Sequence, residues 1–187
     1  MNAEHRVGCA SDEWRAVVRE QIIPWAVGSA DLGDDVLEVG PGYGATTDVL
    51  RELVAHLTAV EIDEELASAL SARLTGTNVD VVVGDATALD LPDSRFTGAT
   101  SFSMLHHVHS DAAQDQLFAE VARVLQPGGV FVASDSLDSP GLREFHHDDI
   151  FVPVNPTDLP RRLGAAGFVD VEIRENEYAW TAQARNR

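Results

Sequence analysis

The stretch Val36-Leu37-Glu38-Val39-Gly40-Pro41-Gly42-Tyr43-Gly44 decides how this 187-residue chain is read. Its first half is a short apolar run of strand type, and it enters a turn with glycine at three alternate positions. Glycine permits positive φ and lets a ligand approach main-chain atoms with no Cβ in the way, so such a turn suits a cofactor. Ala45 to Val54 follows with helical spacing. The unit is therefore strand, turn, helix, with the helix N–H groups turned back toward the glycines as a seat for a carboxylate or phosphate. Two cofactor classes use a turn of this kind. Gly40-x-Gly42-x-x-Ala45 fits the loose dinucleotide fingerprint in which alanine replaces the last glycine. Glu38-x-Gly40-x-Gly42-x-Gly44 fits a second pattern, with an acid two residues ahead of the first glycine.

Outward from the turn, strands and helices alternate. His56 to Ile62 reads as a second strand closing on Glu61, which lies 21 residues beyond Gly40. A βαβ unit places a carboxylate there that can accept both hydroxyls of an adenosine ribose, with Ile62 along the adenine face. Asp63 to Leu74 is predicted as a helix, Val79 to Val83 as a third strand, and Gly84-Asp85-Ala86 as the turn after it. Leu89 to Phe96 reads as a loop, Ala99 to Met104 as the fourth strand, and Asp111 to Leu125 as a helix. Gln126-Pro127-Gly128-Gly129 is a turn before a fifth strand at Val130 to Asp135. A helix over Pro156 to Ala166 and closing strands at 169–173 and 178–182 complete the pattern. This alternation requires a mostly parallel sheet with helices on both faces, and ligands in such sheets lie beyond the carboxyl ends of the strands.

The acid-led glycine turn, the Leu105-His106-His107-Val108 exit of the fourth strand, and Arg123-Val124-Leu125 followed by Pro127-Gly128-Gly129 carry a resemblance. From about residue 30 onward the chain resembles the class I S-adenosylmethionine (SAM)-dependent methyltransferases, in particular the small-molecule group that includes the ubiquinone and menaquinone biosynthesis methyltransferases. The resemblance implies a three-layer α/β sandwich with a seven-stranded, Rossmann-like sheet whose last strand is antiparallel. It implies SAM as cofactor, S-adenosylhomocysteine as product, and methyl transfer to an O, N or C atom of a small-molecule acceptor. The positions it marks for the cofactor are Glu38, Gly40, Pro41, Gly42, Tyr43 and Gly44, then Glu61 and Ile62. Asp85 would meet the adenine amino group, Ala86 would act through its main chain, and Ser103 would close the set. Thr97 departs from the pattern, since relatives carry an acid after the phenylalanine.

Residues 11–28 carry Trp14, Val17, Val18, Ile22 and Trp25 at amphipathic helical spacing, with Pro24 expected to end or kink the helix. Residues 1–29 are read as an N-terminal helical flap on a methyltransferase domain of residues 30–187; a helix packed on the domain edge fits the same periodicity.

A sulfonium methyl is already an activated electrophile, so a protein need only align an acceptor behind it and, for an oxygen, remove a proton. Histidine suits that task near neutral pH. His106 is expected to face the acceptor because its position lines the acceptor site in the resembled family, with His107 and His146 as further candidates; histidines that merely cap or pack fit the same motif. His106, His107, His109, His146 and His147 with Asp111, Asp148 and Asp149 also offer metal ligands. They show no His-x-x-x-His spacing and come from two loops, so no metal is assigned. The segment 136–155 is expected to form an acceptor wall.

Composition narrows the classes. Thirteen basic residues, every one arginine, stand against 31 acidic residues for a net charge of -18. Such a surface repels polyphosphates, and no arginine run exceeds Arg161-Arg162, so nucleic acid is disfavoured as a partner. Without lysine there is no P-loop lysine, Schiff base or pyridoxal linkage. Cys9 is the sole cysteine, which excludes an intrachain disulfide. No apolar run is long enough to span a bilayer, and the start lacks the basic-then-apolar pattern of an export signal, so a membrane partner is not expected and the cytoplasm is the expected location. An NAD(P)-dependent oxidoreductase stays open as an alternative, opposed by Glu38 and by the little chain left after the fifth strand. A non-catalytic SAM-binding module stays open too. No Asn/Asp-Pro-Pro-Tyr stretch is present to clamp an amino acceptor.

Overall fold

The computed structural model describes residues 2–187. Seven strands form one sheet: β1 (Asp35–Val39), β2 (His56–Glu61), β3 (Val79–Val83), β4 (Phe96–Phe102), β5 (Leu125–Ser136), β6 (Phe168–Glu175) and β7 (Ala179–Asn186). Their order is β3-β2-β1-β4-β5-β7-β6. β1 to β5 run parallel, and β7 is antiparallel to both of its neighbours, β5 and β6. The helices are α1 (Ala3–Cys9), α2 (Asp12–Val17), α3 (Ile23–Val27), α4 (Thr47–Leu53), α5 (Glu64–Arg73), α6 (Asp111–Val124), α7 (Pro140–Phe145) and α8 (Leu159–Ala166). None of them is long and apolar enough to cross a membrane.

Helices cover both faces, which is why β1 and β2 are buried almost throughout instead of alternating. On one face α6 and α8 bury Leu117, Phe118, Val121, Leu159 and Leu163 with Leu37, Val39 and Phe131. On the other, α3 and α4 bury Ile23, Val27, Val49 and Leu50 with Val36, Leu57 and Val132. Neighbours Val36 and Leu37 thus join opposite layers, as a period of two requires. α5 packs along β2 and β3. Asp63 caps it by accepting from the N–H groups of Glu65 and Leu66, and Ser110 caps α6 through Ala113 N–H at 3.2 Å.

Several elements differ from expectation. The kink expected at Pro24 is instead a π-helical turn over Val18–Ile22, after which the helix runs on to Val27. Proline lacks an N–H and its ring crowds the carbonyl one turn back, and the wider turn relieves both. β4 begins at Phe96, inside the expected loop, because Phe96 pairs with Leu125. The next paired residues are Gly98 and Val130, so residues 126–129 bulge out within β5. α7 lies where no helix is expected, and α1 is a separate helix ahead of the one expected at 11–28, within the helical flap read over 1–29. Thr97 puts its hydroxyl 2.9 Å from the carbonyls of Leu32 and Asp35 and accepts from Asp35 N–H, tacking down the start of β1.

Candidate active site

The carboxyl ends of β1 to β4 open onto one cavity of about 400 Å³, a size typical of small-molecule sites. β1 and β4 are neighbours there although they are far apart in sequence, which is the crevice where open α/β sheets receive ligands. The glycine loop after β1 forms one wall, and its three glycines answer two different needs. At Gly40 (φ +69°) a Cβ would collide with Met104 Cγ, and at Gly44 (φ +79°) with Arg73 Nη2 and Leu70 Cδ1. At Gly42 (φ +53°) a Cβ would meet nothing within 4 Å. Gly40 and Gly44 are therefore required by protein packing, and Gly42 is the one that leaves main chain bare to the cavity.

The acids take distinct places. Glu61 Oε2 accepts from Gly42 N–H at 2.9 Å and Oε1 from Asp63 N–H at 3.0 Å, so the end of β2 is bonded to the glycine loop. Each oxygen keeps further acceptor capacity on the cavity side. Ile62 beside it is 69% exposed, a large apolar side chain lining the cavity. Asp85 Oδ1 accepts from Thr87 N–H and Oγ1, both at 2.8 Å, shaping the turn after β3. Ser103 holds φ +50° without being glycine, and its N–H donates to Ser134 O at 2.8 Å. Such backbone strain is concentrated at functional sites.

Glu38 departs from expectation. It is 1% exposed and does not border the cavity. The hydroxyls of Thr46 and Thr47 donate to its two oxygens, the latter at 2.7 Å, so it braces the glycine loop from beneath. Burial pushes its carboxyl up to about 7 despite those two donors.

The histidines are arranged differently from the reading that placed His106 on the acceptor. His106 is buried: its N–H and Nδ1 reach the two oxygens of Asp135 at 3.0 and 2.5 Å. Burial opposes the charge of Asp135, yet His106 and the N–H of Ser136 hold its carboxyl below the usual range. His146 is also buried off the cavity, with Nδ1 2.7 Å from Leu142 O and Nε2 3.1 Å from His106 Nε2. Of these three, His107 borders the cavity, together with His5 and His109, and its Nδ1 lies 3.2 Å from Ile150 O. Burial, aided by His106 and His5, drives its imidazole down to about 3. The swap has a simple cause, since the carboxylate at the end of β5 captures the first histidine of the tight turn and the second points elsewhere.

A family model described as a methyltransferase domain matches residues 37–133, just over half of the chain. The chain belongs to the SAM-dependent methyltransferases. It is 30% identical to a probable S-adenosylmethionine-dependent methyltransferase of Mycolicibacterium smegmatis over 157 residues, 80% of this chain and 58% of that protein. It is 45% identical to a probable ribosomal RNA small subunit methyltransferase A of Halobacterium salinarum over 178 residues, 87% and 61% of the two chains. The chain spans about three fifths or less of the length of the curated relatives it matches. A solved SAM-dependent methyltransferase from Aquifex aeolicus superposes with a TM-score of 0.76 over the full length of both chains at 18% identity, a likeness of fold.

In this methyltransferase fold, Gly40, Pro41, Gly42, Tyr43, Glu61, Ile62, Asp85, Ala86 and Ser103 all border the cavity, while Glu38 and Gly44 do not. Sequence reasoning missed His5, Arg6 and Cys9, which α1 brings to the wall, and Met104, which fills the space that Gly40 leaves. Of the segment 136–155 only Asp149 and Ile150 reach the cavity.

Proposed function

We propose that this methyltransferase moves the methyl group of SAM to an oxygen, nitrogen or carbon atom of a small-molecule acceptor. The observation that supports this reading is the meeting, in one cavity, of the open space over Gly42, the Glu61 carboxylate that accepts the Gly42 N–H, and the Asp85-Ala86 turn. These residues fit the cofactor. Glu61 has acceptor capacity for ribose hydroxyls, the exposed Ile62 offers a face for adenine, and Asp85 with Ala86 would meet its edge. Gly40 to Tyr43 and Ser103 would hold the amino-acid part. The bound cofactor supplies an activated methyl, and the chain supplies alignment and exclusion of water. The expected base role of His106 is not kept, because Asp135 and His146 enclose its ring. Residues 1–29 serve as a flap in this reading: α1 and Trp14 stand at the cavity wall.

The likeness to ribosomal RNA methyltransferases favours a second reading, in which the acceptor is RNA. The charge of -18 opposes it.

Calorimetric titration with S-adenosylhomocysteine and with NAD tests the pocket; micromolar binding of the first alone is expected, and binding of NAD alone overturns the reading. Tritiated SAM is then supplied with a metabolite extract or with small ribosomal subunits. Label in a small molecule is expected, label in RNA installs the second reading, and binding without any transfer points to a non-catalytic module.

A further inference from the structure

Four of the seven histidines meet at one place although they come from three parts of the chain. His5 belongs to α1, His106 and His107 to the exit of β4, and His146 follows α7. One ring nitrogen from each lies within 4.8 Å of the others. His5, His106 and His146 are buried, and His107 is partly so.

The hydrogen bonds set which nitrogen each ring has free. His146 Nδ1 faces Leu142 O at 2.7 Å and His107 Nδ1 faces Ile150 O at 3.2 Å. A carbonyl only accepts, so both Nδ1 atoms carry the hydrogen. His106 Nδ1 faces the Asp135 carboxylate at 2.5 Å and His5 Nδ1 the Asp149 carboxylate at 3.3 Å, which require the same tautomer. A neutral imidazole protonated at Nδ1 has a bare lone pair at Nε2. All four rings are thus left with Nε2 as a ligand atom. Moreover, Nε2 of His106 and Nε2 of His146 stand 3.1 Å apart, acceptor against acceptor, an arrangement that calls for a positive charge at the junction. Two nitrogens on a tetrahedral metal at about 2.0–2.1 Å are separated by roughly 3.3 Å.

We propose that His5, His106, His107 and His146 form a tetrahedral binding site for a divalent transition metal, zinc foremost. Four imidazoles suit zinc, copper, nickel or iron, and the lack of oxygen ligands disfavours magnesium and calcium. Carboxylates and carbonyls orienting the far nitrogen of each ligand are the outer partners that metal-binding histidines have elsewhere. A proton shared between His106 and His146 would satisfy that pair alone and leave the approach of His5 and His107 without a cause. With four protein ligands the site is closed, so the metal is a clamp and not a Lewis acid. It fastens α1 to the end of β4 and to the segment after α7, keeping Arg6 and Cys9 at the cavity wall. The site stands independently of the methyl-transfer reading, because it needs no cofactor.

The test is metal uptake by the full chain after stripping with a chelator. One zinc per chain is expected, with a rise of roughly 5–10 °C in the unfolding midpoint at about a hundredfold excess over Kd. Cobalt(II) is expected to give the intense visible bands of tetrahedral coordination. His5→Gln and His146→Gln should each weaken zinc binding tenfold or more, and Asp135→Asn by about 10–100-fold. His147→Gln, a neighbouring histidine outside the cluster, should leave it unchanged. If His146→Gln does not fold, His5→Gln decides, since α1 lies outside the sheet and circular dichroism reports whether the variant is native. No uptake by the stripped wild type, an octahedral cobalt spectrum, or full affinity in a folded His5→Gln overturns the proposal.

Discussion

Gly40 and Gly42 stand two residues apart and have opposite tolerance for a methyl group. Gly40→Ala places a Cβ against Met104 Cγ in a left-handed backbone, and about 2–4 kcal/mol of stability should be lost in denaturant titration. Gly42→Ala bears only the backbone strain, about 1 kcal/mol, but its methyl stands in the cavity, so affinity for S-adenosylhomocysteine should fall tenfold or more while the fold persists. Glu38 makes a different prediction. Its carboxyl rises from 4.5 to about 7 on folding, so between those values the folded state binds the proton more tightly than the unfolded state does. Stability must then fall as pH rises through that window, by on the order of 3 kcal/mol in all. Urea denaturation at pH 5 and at pH 8 should show this loss in the wild type, and Glu38→Gln should remove that part of it. The motif marks Glu38 for the cofactor, and the structure places it beneath the glycine loop, away from the cavity. Spacing alone does not reveal that Thr46 and Thr47 turn back onto it, which makes it a brace and not a contact.

At the scale of elements, Asp48 at the start of α4 joins three helices. It accepts from Arg15 Nη1 of α2 at 2.9 Å and from Arg73 Nη1 of α5 at 2.7 Å, and both arginines also reach Tyr43 O at 3.4 Å. Arg15→Ala should cost about 1 kcal/mol or less, because the pair is partly exposed. Its larger effect should be a several-fold loss of S-adenosylhomocysteine affinity in calorimetry, since the glycine loop loses a support. All seven strands were legible in the chain because apolar runs and glycine or proline punctuation are local signals. α1 and α7 have seven and six residues, fewer than two turns, so periodicity has nothing to repeat. The early start of β4 depends on Leu125 across the sheet, and the choice between His106 and His107 depends on Asp135. Each of these is settled by a residue distant in sequence. His5 was invisible as a partner of the other histidines for the same reason.

At the scale of the whole molecule, β1 to β5 run parallel with helices between most of them, while β6 and β7 close the sheet as an antiparallel pair. Phe131 stacks on Phe168 at 5.4 Å, and Trp180 is wholly buried with them in the same core. β6 has no pairing with β5 of its own: β7 lies between them and bonds to both. A chain growing from the ribosome therefore exposes β6 before its partner exists, and the free border of β5 waits bare until residues 179–186 have left the exit tunnel. Stopping synthesis before Ala179 should yield an aggregating product, recovered in the pellet or bound to chaperones, whereas release of the complete segment should close the sheet in a single late step.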